Sequence, residues 1–208
     1  VAIQITSIRI LTTFLSEKEI GYYYLIVSIL SFFNLVILNP PCMYYGRRIL
    51  CWKDSGNLLN ATYLLGIIIT ILASISALVL FVFVYYQDYR FPYEPIHLIF
   101  FLFLSFSVSA IHRNMLHGLN SLGYQKRFVL ILIFSLAIGL LFSSLFVYFI
   151  CNNALFWLYG LIVGELLTIY FIINKYISIS KLDKSLLFNS INFSILNRVF
   201  TFCIPIAV

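Results

Sequence analysis

Apolar positions run in long blocks broken by short polar stretches, and the block lengths predict membrane-crossing helices. A helix needs roughly 20 apolar residues to cross a hydrocarbon core about 30 Å thick. Blocks at 1–15, 20–39, 61–86, 96–116, 128–150 and 154–174 approach or exceed that length, and a further one begins at 200. No sustained alternation over ten-residue strands occurs, which excludes a transmembrane barrel. The pattern predicts an all-α, polytopic integral membrane protein: a six-transmembrane-helix lobe over 1–199 and the start of a seventh helix at 200–208. Both ends fall inside apolar blocks, so the sequence reads as a piece of a longer chain.

The breaks between blocks set the topology. The block from Ile20 to Asn39 is preceded by Ser16, Glu17, Lys18 and Glu19 and followed by Pro40, Pro41, Arg47 and Arg48. Gly118 and Gly123 read as helix stops after the fourth crossing, and 151–153 as a tight turn. Gln87 to Pro95 reads as an interfacial loop, and 175–199 as an amphipathic connector lying along the membrane surface. Alternating the crossings places Arg47, Arg48, Lys53, Lys126, Arg127, Lys175, Lys181, Lys184 and Arg198 on one side, and only Lys18 and Arg90 on the other. Because Lys and Arg in short loops are retained in the cytoplasm, the loops after crossings two, four and six are expected to be cytoplasmic.

Composition sharpens this picture: 62% of the 208 residues are hydrophobic and 10% charged, against about 25% charged in a soluble domain. The net charge of +6 sits in loops between crossings, so it reads as a topology signal and not as a nucleic-acid surface. Cys42, Cys51, Cys151 and Cys203 are scattered, without the pairing expected of a metal site. Neither a metal nor a cofactor is expected.

The opening stretch carries a motif. Leu15, Ser16, Glu17, three residues, Gly21 and Tyr22 form the turn between crossings one and two, and Asn39 and Pro40 with an arginine-bearing loop follow crossing two. This ordering resembles the first two helices of lipid-linked oligosaccharide flippases, the polysaccharide exporters of the multidrug/oligosaccharidyl-lipid/polysaccharide superfamily. Many members carry Thr-Arg before the leucine of the turn; here the residues are Thr12, Thr13 and Phe14, so no role of that arginine carries over.

The resemblance implies the amino-terminal half of a two-lobed transporter in a bacterial inner membrane. Its partners would be the bilayer, an undecaprenyl-diphosphate-linked oligosaccharide, the second lobe of the same chain and other polysaccharide-assembly proteins. Two alternatives stay open: a multidrug or cation antiporter of the same superfamily, and a polytopic lipid-linked glycosyl polymerase or transferase.

Three charges fall within or near crossings, where a charge costs about 2.5 to 3.5 kcal/mol on insertion scales and so faces a cavity or a partner. Glu165 lies about 11 residues into crossing six, roughly 16 Å down the helix, beside Gly160 and Gly164 at a small-xxx-small spacing. It is either an ion-coupling carboxylate or a packing group held by a neighbouring helix, Arg9 being one candidate partner. Arg9, roughly 10 Å from the turn at Ser16, either snorkels or faces a cavity that receives an anionic substrate. Arg113, beside His112 and His117, is either a topology-setting arginine or a contact for a substrate headgroup, since guanidinium matches phosphate in a two-pronged geometry. Motifs of metalloproteases, serine hydrolases and nucleotide-driven pumps are missing from the sequence, so no catalytic residue is expected.

Overall fold

A computed structural model describes residues 2–86 and 93–180. The connector beyond 180, the start of the seventh helix at 200–208 and most of the loop at 87–95 lie outside the described residues. Those described are helical almost throughout: α1 (Ala2–Phe14), α2 (Glu17–Phe33), a π-helical turn (Asn34–Leu38), α3 (Asn39–Asp54), α4 (Leu58–Tyr86), α5 (Pro95–Ser121), α6 (Gln125–Phe149) and α7 (Ala154–Ser180). Five helical stretches are long and apolar enough to cross a membrane, and α1 is a shorter apolar helix. Among the described residues the protein is all-helical, with the helices of a multi-pass membrane protein.

Two boundaries differ from the sequence reading. The second crossing does not end at Asn39: α2, the π-helical turn and α3 form one stretch of 38 residues from Glu17 to Asp54. Pro40 and Pro41 sit in the first turn of α3, just beyond the π-helical turn. A proline inside an α-helix lacks its N–H and collides with the carbonyl four residues back. The wider i→i+5 bonding of a π turn moves that carbonyl aside, so the helix swells at 34–38 and continues. At about 1.5 Å per residue the stretch is ~57 Å long, well beyond the hydrocarbon core, which leaves Arg47, Arg48 and Lys53 exposed past its far end.

Gly118 is likewise no stop, since α5 runs through it to Ser121. The stop is Gly123, at φ +88°. There the Gly123 N–H donates to the Asn120 carbonyl and the Tyr124 N–H to the Leu119 carbonyl, both at 3.0 Å, the paired bonds of a left-handed glycine cap. The turn after α3 is built the same way: Gly56 has φ +72°, with Gly56 N–H bonded to Lys53 O and Asn57 N–H to Trp52 O. Both basic-side turns thus reverse the chain within three or four residues.

α5 lies at the centre of the bundle. Phe101, Phe106 and Leu119 are fully buried, packed in one apolar core with Ile69 and Ala73 of α4 and Ile172 and Tyr176 of α7. α6 and α7 pair most intimately, through backbone contact. A Cβ on Gly164 would stand 2.6 Å from the Ser135 carbonyl oxygen and the Gly139 nitrogen, and one on Gly160 would overlap the Ser143 backbone. The Ser143 hydroxyl donates to the Trp157 carbonyl at 2.6 Å across the same seam. Lipid tails are as apolar as leucine, so close backbone approach and interhelical hydrogen bonds are what hold such pairs together. The expected small-residue seam at Gly160 and Gly164 is present, facing Ser135, Gly139 and Ser143.

Candidate functional site

At the end opposite the basic turns, three helix starts are tied by one carboxylate. Ser16 caps α2 by accepting from the Glu19 N–H at 3.4 Å. The Glu19 side chain leaves its own helix. Its Oε2 accepts from the Ala154 N–H at 2.8 Å, where α7 begins with unsatisfied amides, and from the Tyr93 hydroxyl at 2.5 Å, two residues before α5. Burial and the Glu19 carboxylate both push the Tyr93 hydroxyl above its ordinary range, so it remains a donor. This clasp joins α2, α5 and α7, a role that the position of Glu19 in a short charged turn does not reveal.

Toward the basic side the α2–α3 stretch and α5 enclose a cavity of about 400 Å³, while α5 and α7 stay packed, the Tyr176 hydroxyl donating to the Met115 carbonyl. One wall is the stretch from Ser31 to Gly46, spanning the end of α2, the π-helical turn and the start of α3; the other is α5 from Ala110 to Ser121. Deeper along the same helices Phe33 packs on the fully buried Phe106, ring centroids 5.8 Å apart, outside the cavity lining. The polar lining divides by wall. Ser31, Asn34 and Asn39 line the first, and Arg113, Asn114 and His117 the second.

Arg113 is exposed in this cavity, its Nε donating to the Ser109 carbonyl one turn earlier at 3.2 Å. Asn114 is 8% exposed, and its Nδ2 has no hydrogen-bond partner; Asn34 spends its Nδ2 on the Leu30 carbonyl at 2.8 Å and leaves Oδ1 without one. A buried polar atom without a partner costs on the order of 1–3 kcal/mol, and these two, one on each wall, are covered by neighbouring atoms.

Glu165 is half-buried on α7 and accepts from the Ser109 hydroxyl of α5 at 2.5 Å. The candidate pairing with Arg9 does not occur. Instead, Ser109 serves both charges: its hydroxyl binds Glu165 while its carbonyl binds Arg113, and the guanidinium charge also acts on the carboxylate. The carboxylate in the membrane and the arginine in the cavity are therefore two bonds apart through one serine. Arg9 is exposed on α1, outside the cavity, on a helix that packs through Leu11 and Leu15 against Val147 and Trp157. Its carbonyl accepts from Thr12 and Thr13, a local arrangement of α1 alone.

His112 and His117, five residues apart, part company. His117 lines the cavity, while His112 is 3% exposed in the core, with Nε2 unpartnered. Among the described residues no group of three His, Cys, Asp or Glu side chains could hold a metal ion. Arg113 and Glu165 stand out in sequence because each is a lone charge in an apolar block. Asn34, Asn114 and Ser109 do not, since uncharged polar residues in membrane helices commonly bond back to their own helix, as Ser31, Thr70 and Ser76 do here.

No protein-family model, no curated protein and no solved structure matches this chain.

Proposed function

We propose that this chain is a lobe of a membrane transporter that carries a lipid-linked, undecaprenyl-diphosphate-bound oligosaccharide from the cytoplasmic to the outer leaflet of a bacterial inner membrane. The observation that carries this reading is the cavity: a space of about 400 Å³ within membrane-length helices, with Arg113 in its wall on the basic side. A guanidinium presents paired N–H donors that match a phosphate in two-pronged fashion, and the surrounding low dielectric strengthens the pairing. A neutral hydrophobic drug has no use for that charge, and a polymerase would need acidic groups, of which none lines the cavity.

In this reading Arg113 receives the diphosphate at the inner mouth, and a second lobe of similar build closes the other side of the path. Arg9, outside the cavity, takes no part in it. A cation antiporter of the same superfamily is the second reading, favoured by one observation, the Glu165–Ser109 pair inside the membrane. There Glu165 would exchange a proton and Arg113 would tune it.

The test is deletion of the gene in its native host, with complementation by wild type, Arg113→Ala, Arg9→Ala and Glu165→Gln at matched expression. The expected result is loss of surface polysaccharide with accumulation of its lipid-linked repeat unit inside, rescued by wild type and Arg9→Ala but not by Arg113→Ala. Unchanged surface polysaccharide in the deletion strain sinks the flippase reading. Raised drug sensitivity in that strain, uncorrected by Glu165→Gln, then selects the antiporter.

A further inference from the structure

Opposite charges lie on neighbouring helices inside the membrane and do not meet. Glu165 of α7 and Arg113 of α5 are close enough for the guanidinium charge to act on the carboxylate, yet no hydrogen bond joins them. Ser109 takes both instead: its hydroxyl donates to Glu165 Oε2 at 2.5 Å, and its carbonyl accepts from Arg113 Nε at 3.2 Å. Unlike charges attract far more strongly at low dielectric than in water, so a direct guanidinium–carboxylate pair is the ordinary outcome there. Packing, not charge, sets the position of Ser109, since Val108 and Ala110 on either side of it are buried in the core.

This arrangement decides what Arg113 can do. Its Nε is spent on Ser109, and its terminal amino groups have no partner. Arg113 is exposed and lines the cavity, where no acid accompanies it. Those amino groups supply the donors that match a phosphate in two-pronged fashion. A carboxylate free to swing onto them would fill the place of the ligand.

We infer that Ser109 is a positioning residue of the binding site: by restraining Glu165 it keeps the guanidinium of Arg113 open to the phosphate of the carried lipid. Ser109 lies outside the cavity lining and acts through Arg113. Glu165 is a built-in competitor held off by one hydroxyl. This rests on the transporter reading and deepens it, because it assigns the availability of the anion-binding charge to a residue that the ligand does not touch.

The experiment uses the protein reconstituted in lipid nanodiscs and a fifteen-carbon prenyl diphosphate as probe, with binding measured by calorimetry. Ser109→Ala keeps the carbonyl and deletes the hydroxyl. A released carboxylate that occupies the guanidinium about nine-tenths of the time weakens the probe about tenfold, because only the unpaired fraction can bind. Ser109→Thr, which keeps a hydroxyl, should bind as wild type does. Glu165→Gln, alone or combined with Ser109→Ala, should bind at least as tightly as wild type, since no competing charge remains. Arg113→Gln should lose the probe whatever stands at 109 and 165. Ser109→Cys, of similar size and a weaker donor, should fall between wild type and Ser109→Ala, and it decides the matter if the alanine variant does not fold.

Recovery in the double variant is the result that a merely structural serine would not give. Wild-type affinity in Ser109→Ala, or a double variant as weak as Ser109→Ala, overturns the role of Ser109 and leaves the lipid-diphosphate reading standing. Failure of wild type to bind the probe overturns both.

Discussion

Glu19 shows how far one side chain reaches in this bundle. Its carboxylate satisfies an amide at the start of α7 and the hydroxyl of Tyr93 before α5 while its own residue sits in the first turn of α2. Replacing it by alanine removes two bonds at once and frees a helix-start amide, a loss of about 1–3 kcal/mol. Hydrogen exchange at the Ala154 amide should accelerate in Glu19→Ala well beyond that at amides in mid-α7, and unchanged exchange would show that the clasp does not hold the helix start. At this scale the sequence was uneven in what it disclosed. Arg113 and Glu165 declared themselves as isolated charges in apolar surroundings. The partner of Glu165 did not, because any hydroxyl or cation on a neighbouring helix could have met it, and only the packing of α5 on α7 selects Ser109 over Arg9.

At the scale of the element, helix length and helix pairing obey different signals. The α6–α7 pairing is written in small residues at four-residue spacing, Ser135, Gly139 and Ser143 against Gly160 and Gly164, and could be anticipated from the glycines on one side. Leucine at position 164 has no room, with backbone atoms at 2.6 Å, so Gly164→Leu should destabilise the bundle by at least ~1–3 kcal/mol in detergent unfolding. Gly66→Leu is the control: nothing lies within 4 Å of its added Cβ, and its unfolding should match wild type. The continuation of the second crossing through Pro40 and Pro41 was hidden, because two adjacent prolines ordinarily end a helix. A local change from α to π bonding removes the clash, and no hydrophobic periodicity reports it. Gly118 misled for the related reason that glycine both ends helices and admits close neighbours. Here its missing side chain makes room for the Tyr176 hydroxyl, which donates to the Met115 carbonyl at 2.9 Å.

Across the whole molecule, the alternation of basic and non-basic turns was legible from charge alone, and the structure gathers the ends accordingly. Tyr93, Glu19 and Ala154 meet at one end, while Lys175 lies 4.5 Å from the Tyr124 ring centroid at the other. Alkaline phosphatase fused after Asn57 or Leu122 should be inactive and after Asn152 active, with a fluorescent-protein series giving the reverse; activity at Asn57 would invert the assigned topology. The same geometry ties three helix starts through Glu19 at one end and leaves a cavity between the α2–α3 stretch and α5 toward the other. The lining reaches only from Ser31 to Gly46 and from Ala110 to Ser121, part of each stretch's length, so this hollow can hold a solute but does not run through the bundle. Sealed vesicles bearing the protein in this state should show no leak of small ions, because the far end is closed by the packing of α5 against α4 and α7 and by the Glu19 clasp.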